Sequence, residues 1–136
     1  MVRDSGGEGK PVVLIHGLGF GQRSWDRLAP RLSAEGLRVV SYDLRGHGGS
    51  DAAGDYSPSS FEEDFAAILE ELGLEKPVLV GHSLGGTTAL SYAASHNRCA
   101  GVVCVEGGLP LELPSADWES IEAEMRRPYS GSQCGR

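Results

Sequence analysis

The chain has 136 residues, 40% hydrophobic and 23% charged, the composition of a single globular domain. Twelve basic residues against 19 acidic ones give a net charge of −7, which argues against nucleic acid or an anionic membrane surface as partner. No apolar run approaches the ~18 residues of a membrane span, and the polar, glycine-rich segment 1–10 has no secretory pattern. Cys99, Cys104 and Cys134 lack Cys-x-x-Cys spacing, so free thiols in a reducing cytoplasm are expected, with no metal site and no cofactor.

Val12-Val13-Leu14-Ile15 is a short unbroken apolar run, the mark of a strand buried on both faces. A glycine-rich loop, Gly17–Gly21, follows it. Ser24 is placed to cap a helix reaching about Glu35, with Trp25, Leu28, Ala29 and Leu32 on one side and Gly36 as its stop. Arg38–Asp43 reads as a second strand and Leu44–Ser57 as a polar loop. Ser60-x-x-Glu63 has the form of a capping box opening a helix in which Phe61, Phe65, Ile68, Leu69 and Leu72 recur at helical spacing. Gly73 ends that helix. Pro77–Gly81 is a third strand, Leu84–His96 a helix and Ala100–Val105 a fourth strand. Strands alternating with helices of this length predict an α/β fold built on a parallel sheet of about four strands, with helices on both faces. Beyond Glu106 the periodicity weakens. Ser115–Arg127 has Trp118, Ile121 and Met125 on one side of a predicted helix, and residues 128–136 read as a disordered tail.

The segment carrying chemistry is Gly81-His82-Ser83-Leu84-Gly85, set between an apolar strand and an alanine-rich helix with no loop between them. That context predicts a sharp strand–turn–helix elbow presenting Ser83 above the sheet. Gly81 and Gly85 provide room for the helix to pass, having no Cβ. Gly-x-Ser-x-Gly alone is weak; its placement gives it force.

Three motifs in order now identify a resemblance: His16-Gly17-Leu18-Gly19 after the first strand, Asp43-Leu44-Arg45-Gly46-His47-Gly48-Gly49-Ser50 after the second, and Gly81-His82-Ser83-Leu84-Gly85-Gly86 after the third. Together they resemble the α/β-hydrolase fold, closest in style to its small esterase, haloperoxidase-like and C–C-bond hydrolase members. The likeness covers about residues 8–109, roughly the first half of such a catalytic domain. It implies a partial core over 1–109, the start of a lid or crossover helix over 110–127, and a tail over 128–136. It also implies that the family's first two strands precede Met1, while the lid, last strands, base histidine and usual acid follow Arg136.

The resemblance implies that Ser83 is the nucleophile and that the backbone N–H groups of Leu18 and Leu84 are the oxyanion donors. Elementary helix physics agrees for Leu84, whose amide opens a helix. Both leucine side chains are expected to line an apolar acyl pocket. Glu106, ending the fourth strand, is the candidate acid, against the plainer reading of a loop residue facing solvent. Asp43 and Asp64 read as structural. His16 is expected to brace the oxyanion loop, with a surrogate-base role as its lesser reading. His82 should point away from Ser83, His47 lies on a distant loop, and His96 is some 13 residues along the helix, roughly 20 Å away.

Two readings follow. The first is a serine hydrolase acting on a carboxylic ester or related small-molecule acyl substrate through a Ser83 acyl-enzyme, although this chain lacks a base histidine. A serine nucleophile separates it from relatives that attack epoxides or haloalkanes with aspartate. The second is an inactive hydrolase fragment serving at most as a binding or association module, self-associating through an uncovered sheet edge.

Overall fold

The computed structural model describes residues 1–107; the predicted helix over 115–127, the tail and Cys134 lie outside them. The fold is a five-stranded sheet in the order β1-β3-β2-β4-β5, with β1 Val2–Asp4, β2 Pro11–Ile15, β3 Arg38–Tyr42, β4 Val78–His82 and β5 Gly101–Val105. Strands β2 to β5 run parallel, and β2, β3 and β4 have the buried apolar sequences of interior parallel strands.

One strand was not expected. Val2–Asp4 pairs antiparallel with β3, with Val2 opposite Tyr42 and Asp4 opposite Val40. Its side chains are exposed, so burial does not form it. Backbone pairing does, assisted by Asp4 taking the Arg38 guanidinium at 2.6 Å and Arg3 reaching Asp26 at 2.8 Å.

The sheet is covered on both faces, and strand alternation sorts the residues. Val13, Ile15, Val40, Tyr42 and Leu79 face two helices, α2 (Pro58–Glu71) and α3 (Leu84–His96). There Phe65 is fully buried, lying between Tyr42, stacked at 6.1 Å, and Tyr92, edge-on at 4.9 Å. Val12, Leu14, Val39 and Val80 face the other way, toward Trp25, Ala29 and Leu32.

On this second face the single helix expected over 24–35 is two pieces: a 3-10 turn at Gln22–Trp25, then α1 at Ala29–Ala34. The break follows from two constraints. Gln22 is tied to Asp43 across the sheet end, which fixes the turn, and Pro30 has no N–H to continue an earlier helix, so α1 begins around it. Helix α2 likewise starts earlier than the Ser60–Glu63 box suggested. Ser57 is its cap, accepting from the Ser60 N–H at 3.3 Å, with Pro58 in the first turn. Ser60 is buried, with its hydroxyl on Asp55.

At the far edge, the described residues cover β5 on one face only. Val102 packs against the α2/α3 core, whereas Val103 and Val105, aligned with Val80 and His82, are 49% and 44% exposed. Among the described residues, no helix is long and apolar enough to cross a membrane.

Candidate active site

Ser83 joins β4 to α3 at φ 49°, ψ −115°, a conformation that L-residues avoid. The turn is held from several sides. Its N–H donates to the carbonyls of Glu106, at 2.9 Å, and Val105, at 3.2 Å, while its own carbonyl accepts from the Thr87 N–H at 3.1 Å. The flanking glycines are required by backbone, not by flexible side chains. A Cβ on Gly81 would stand 2.3 Å from the Gly85 carbonyl oxygen, and one on Gly85 would stand 2.3 Å from that of Ile15. Gly107 closes the third side: at φ 121°, its Cβ would lie 2.8 Å from the Ser83 Cα. The glycine pair at 107–108 is the sequence signal that the motif reading passed over.

The two candidate donor amides belong to the helix after this turn and to the loop after β2. Leu84 is the first residue of α3, so its N–H is among those a helix leaves without an internal partner. Leu18 lies in the loop after β2, whose carboxyl end touches α3 at Gly85. The leucine side chains divide, contrary to a shared pocket-lining role. Leu84 is buried in the α2/α3 core, and only Leu18 is half-buried at its margin. Leu84 therefore serves the core, because the first turn of α3 buries its apolar residue against the sheet.

His16 is fully buried beneath the loop. Its Nε2 accepts from the Leu44 N–H at 2.9 Å, and since that amide can only donate, Nδ1 carries the proton and donates to the Gly17 carbonyl at 2.8 Å. Burial lowers its pKa, and the neighbouring His47 and His82 add to this against the opposing Gly17 carbonyl and Asp43. A neutral ring with both nitrogens committed is a brace for the loop and cannot take a proton from Ser83.

The other histidines are also accounted for. His47 is buried beside His16, with ring centroids 5.3 Å apart, and its Nδ1 donates to the Arg45 carbonyl at 2.8 Å. His96 stands at the opposite end of α3, stacked on Tyr92 at 4.4 Å and 3.4 Å from Glu62. The His82 ring lies against the loop at Gly17–Phe20.

Asp43 is structural, as expected. It accepts from the Gln22 N–H at 2.7 Å, the Gln22 side-chain amide at 2.9 Å and the Gly49 N–H at 3.0 Å. Burial alone would raise its pKa, but these bonds outweigh it and the carboxyl is held below its ordinary range. Gln22 is the residue whose importance the sequence concealed. Asp64 takes Arg45 in a two-pronged pair, both bonds at 2.7 Å. Glu106 is exposed at φ 51° and meets the elbow through its carbonyl, not its carboxylate.

Comparison with known proteins agrees with this geometry. A family model described as the alpha/beta hydrolase fold matches residues 10–129. A non-heme haloperoxidase of Rhodococcus erythropolis is 36% identical over 108 residues, covering 77% of this chain and 39% of that protein. A bromoperoxidase from Bacillus anthracis superposes with TM-score 0.72 at 40% identity, over 76% of this chain and 38% of that one. A thermophilic esterase from Thermogutta terrifontis gives TM-score 0.71 at 34% identity, over 76% and 39%. The chain thus spans about two-fifths of the length of these relatives. With the family matched over most of its residues and the strand order, elbow and loops in place, the chain belongs to the α/β-hydrolase family.

Proposed function

We propose that this chain carries the nucleophile and oxyanion-binding half of a serine hydrolase acting on a carboxylic ester or related acyl compound. The observation that supports this most is the backbone of Ser83, held at positive φ directly ahead of a 13-residue helix. Such conformations cost about 1–3 kcal/mol and persist where surrounding structure over-determines them, often at sites of chemistry. In this reading Ser83 Oγ attacks the acyl carbon, and the C=O electron pair moves onto oxygen to give an oxyanion facing the Leu18 and Leu84 amides. Collapse expels the alcohol and leaves an acyl-Ser83. Glu106 is the candidate acid of this reading, a role that needs a histidine between it and Ser83; its carboxylate is exposed and only its carbonyl meets the elbow. Among the described residues, His16 is committed twice and His96 is about 20 Å along α3, so the reading is tested with a base supplied from solution. Free Cys99 and Cys104 suit the cytoplasm, where we place the protein.

The test supplies the base. With p-nitrophenyl acetate and imidazole, acetyl groups should accumulate on the Ser83 peptide, measured by mass spectrometry, with imidazole dependence that Ser83→Ala abolishes. Acetylation spread equally over surface lysines in both proteins would end the proposal. Sustained Ser83-dependent turnover without imidazole would instead show that the chain holds its own base.

A second reading, association through β5, is favoured by the exposed Val103 and Val105. Sedimentation velocity should then show a self-associated species that Val103→Lys disperses; a monomer at all concentrations rejects it.

A further inference from the structure

We infer that His82 is a positioning residue whose imidazole holds the Gly17–Phe20 loop, and with it the Leu18 amide, against the elbow; its chemical consequence rests on the acyl-transfer reading above. His82 ends β4 and shares strand parity with Val78 and Val80, so its side chain stands on the α1 face of the sheet. The loop leaving β2 crosses this ring twice. At its first crossing a Cβ on Gly17 would stand 2.7 Å from His82 Nδ1 and 3.1 Å from Cε1, so the imidazole already lies against the Gly17 backbone. At the second, the Phe20 ring returns edge-on to the same imidazole, with centroids 5.3 Å apart and planes at 81°.

Between the crossings the loop is tight. The Phe20 N–H donates to the Gly17 carbonyl at 3.2 Å, and Gly19 at φ 77° permits the reversal. Leu18 is therefore spanned by two contacts to one ring. Phe20 is 55% exposed, so burial does not account for its placement, whereas a favourable edge-to-face pair with the imidazole does. His16 grips the loop from below through the Gly17 carbonyl, and His82 fixes it sideways against β4. Sequence adjacency to Ser83 then has a purpose: the residue before the elbow ties the second donor loop to the first.

The test uses the full chain and two readouts, amide hydrogen exchange over residues 16–21 and imidazole-dependent acetylation of Ser83. His82→Ala should raise exchange in the loop while β4 stays protected. It should also slow acetylation by about tenfold, a fraction of the 10²–10³ associated with complete loss of an oxyanion donor. His82→Phe, which restores a ring without ring nitrogens, should recover both readouts. Unchanged loop exchange in His82→Ala overturns the inference, as does a folded His82→Phe protein as loose as the alanine variant. Should His82→Ala fail to fold, Phe20→Ala removes one crossing from the exposed side and must loosen residues 17–19; no loosening overturns the inference equally. If the unsubstituted chain does not acetylate at Ser83, the acyl-transfer reading fails, and exchange still judges the clamp.

Discussion

Gly85→Ala is expected to destabilise the protein by about 3 kcal/mol, or to leave it insoluble, while Gly86→Ala one residue later stays within about 1 kcal/mol of the parent. The contrast lies in what each new methyl meets. At Gly85 it would stand 2.3 Å from the Ile15 carbonyl oxygen, 2.6 Å from its carbon and 2.7 Å from the His16 carbonyl oxygen. All three are backbone atoms at the end of the central strand β2, and no rotamer change moves them. Helix α3 would have to lift away from the sheet and carry Leu84 out of the core. At Gly86 the nearest atom is the Gly81 carbonyl oxygen at 3.2 Å, a contact eased by a few tenths of an ångström. Helix propensity there gains about 0.8–1 kcal/mol from replacing glycine, which offsets the crowding. Thermal unfolding of the pair in parallel is the measurement. Similar melting temperatures for the two variants would mean that the elbow is not packed against β2 in this way.

That steric demand is also why the elbow was legible in the sequence. Where backbone meets backbone, only glycine is tolerated, so Gly81 and Gly85 appear at fixed offsets from Ser83. Strands β2 to β5 were legible for a related reason: both faces of most are buried, so Val12–Ile15 and Val78–Val80 are unbroken apolar runs. Features made by distant partners left no such trace. Val2-Arg3-Asp4 has one apolar residue in three, and it becomes a strand only because β3 offers its edge. The break between the 3-10 turn and α1 depends on Gln22 meeting Asp43, 21 residues away. Ser57 and Ser60 both suit a helix cap, and Pro58 decided between them.

The site divides along the same line. The backbone turn at Ser83 and the start of α3 at Leu84 are set by local steric and helical rules, which is why their conformation was legible. The role of His82 depends on a loop some 65 residues earlier, and the exposure of Val103 on what packs over β5, so neither has a local signature. Leu84 was misjudged as pocket lining because its position in α3 serves the core first.

His16→Gln is expected to lower stability by about 2–4 kcal/mol at pH 8 and, in addition, to flatten the loss of stability on acidification. The first effect follows from the bonds the imidazole makes. The buried Leu44 N–H and Gly17 carbonyl would lose partners at 2.9 and 2.8 Å, and each buried polar group left unpaired costs about 1–3 kcal/mol. The pH effect follows from burial, which disfavours the charged ring and depresses its pKa in the folded state, with His47 and His82 adding to the depression. An unfolded chain takes up this proton near pH 6.5. Between that value and the lower folded one the unfolded state therefore binds more protons, and stability rises with pH. Above about pH 6.5 the contribution of neutral His16 is fully present, and it is lost as pH falls below that. The carboxyls held low in the fold, Asp4 and Asp43, act in a separate window below about pH 4. Melting temperatures from pH 8 to pH 5 should consequently converge for the parent and His16→Gln as acid removes what the imidazole supplied. Parallel curves would show that the buried ring does not govern this window. Because His16 also holds the Gly17 carbonyl, Ser83 acetylation in the parent should fall over the same interval, as the loop carrying Leu18 loses its brace.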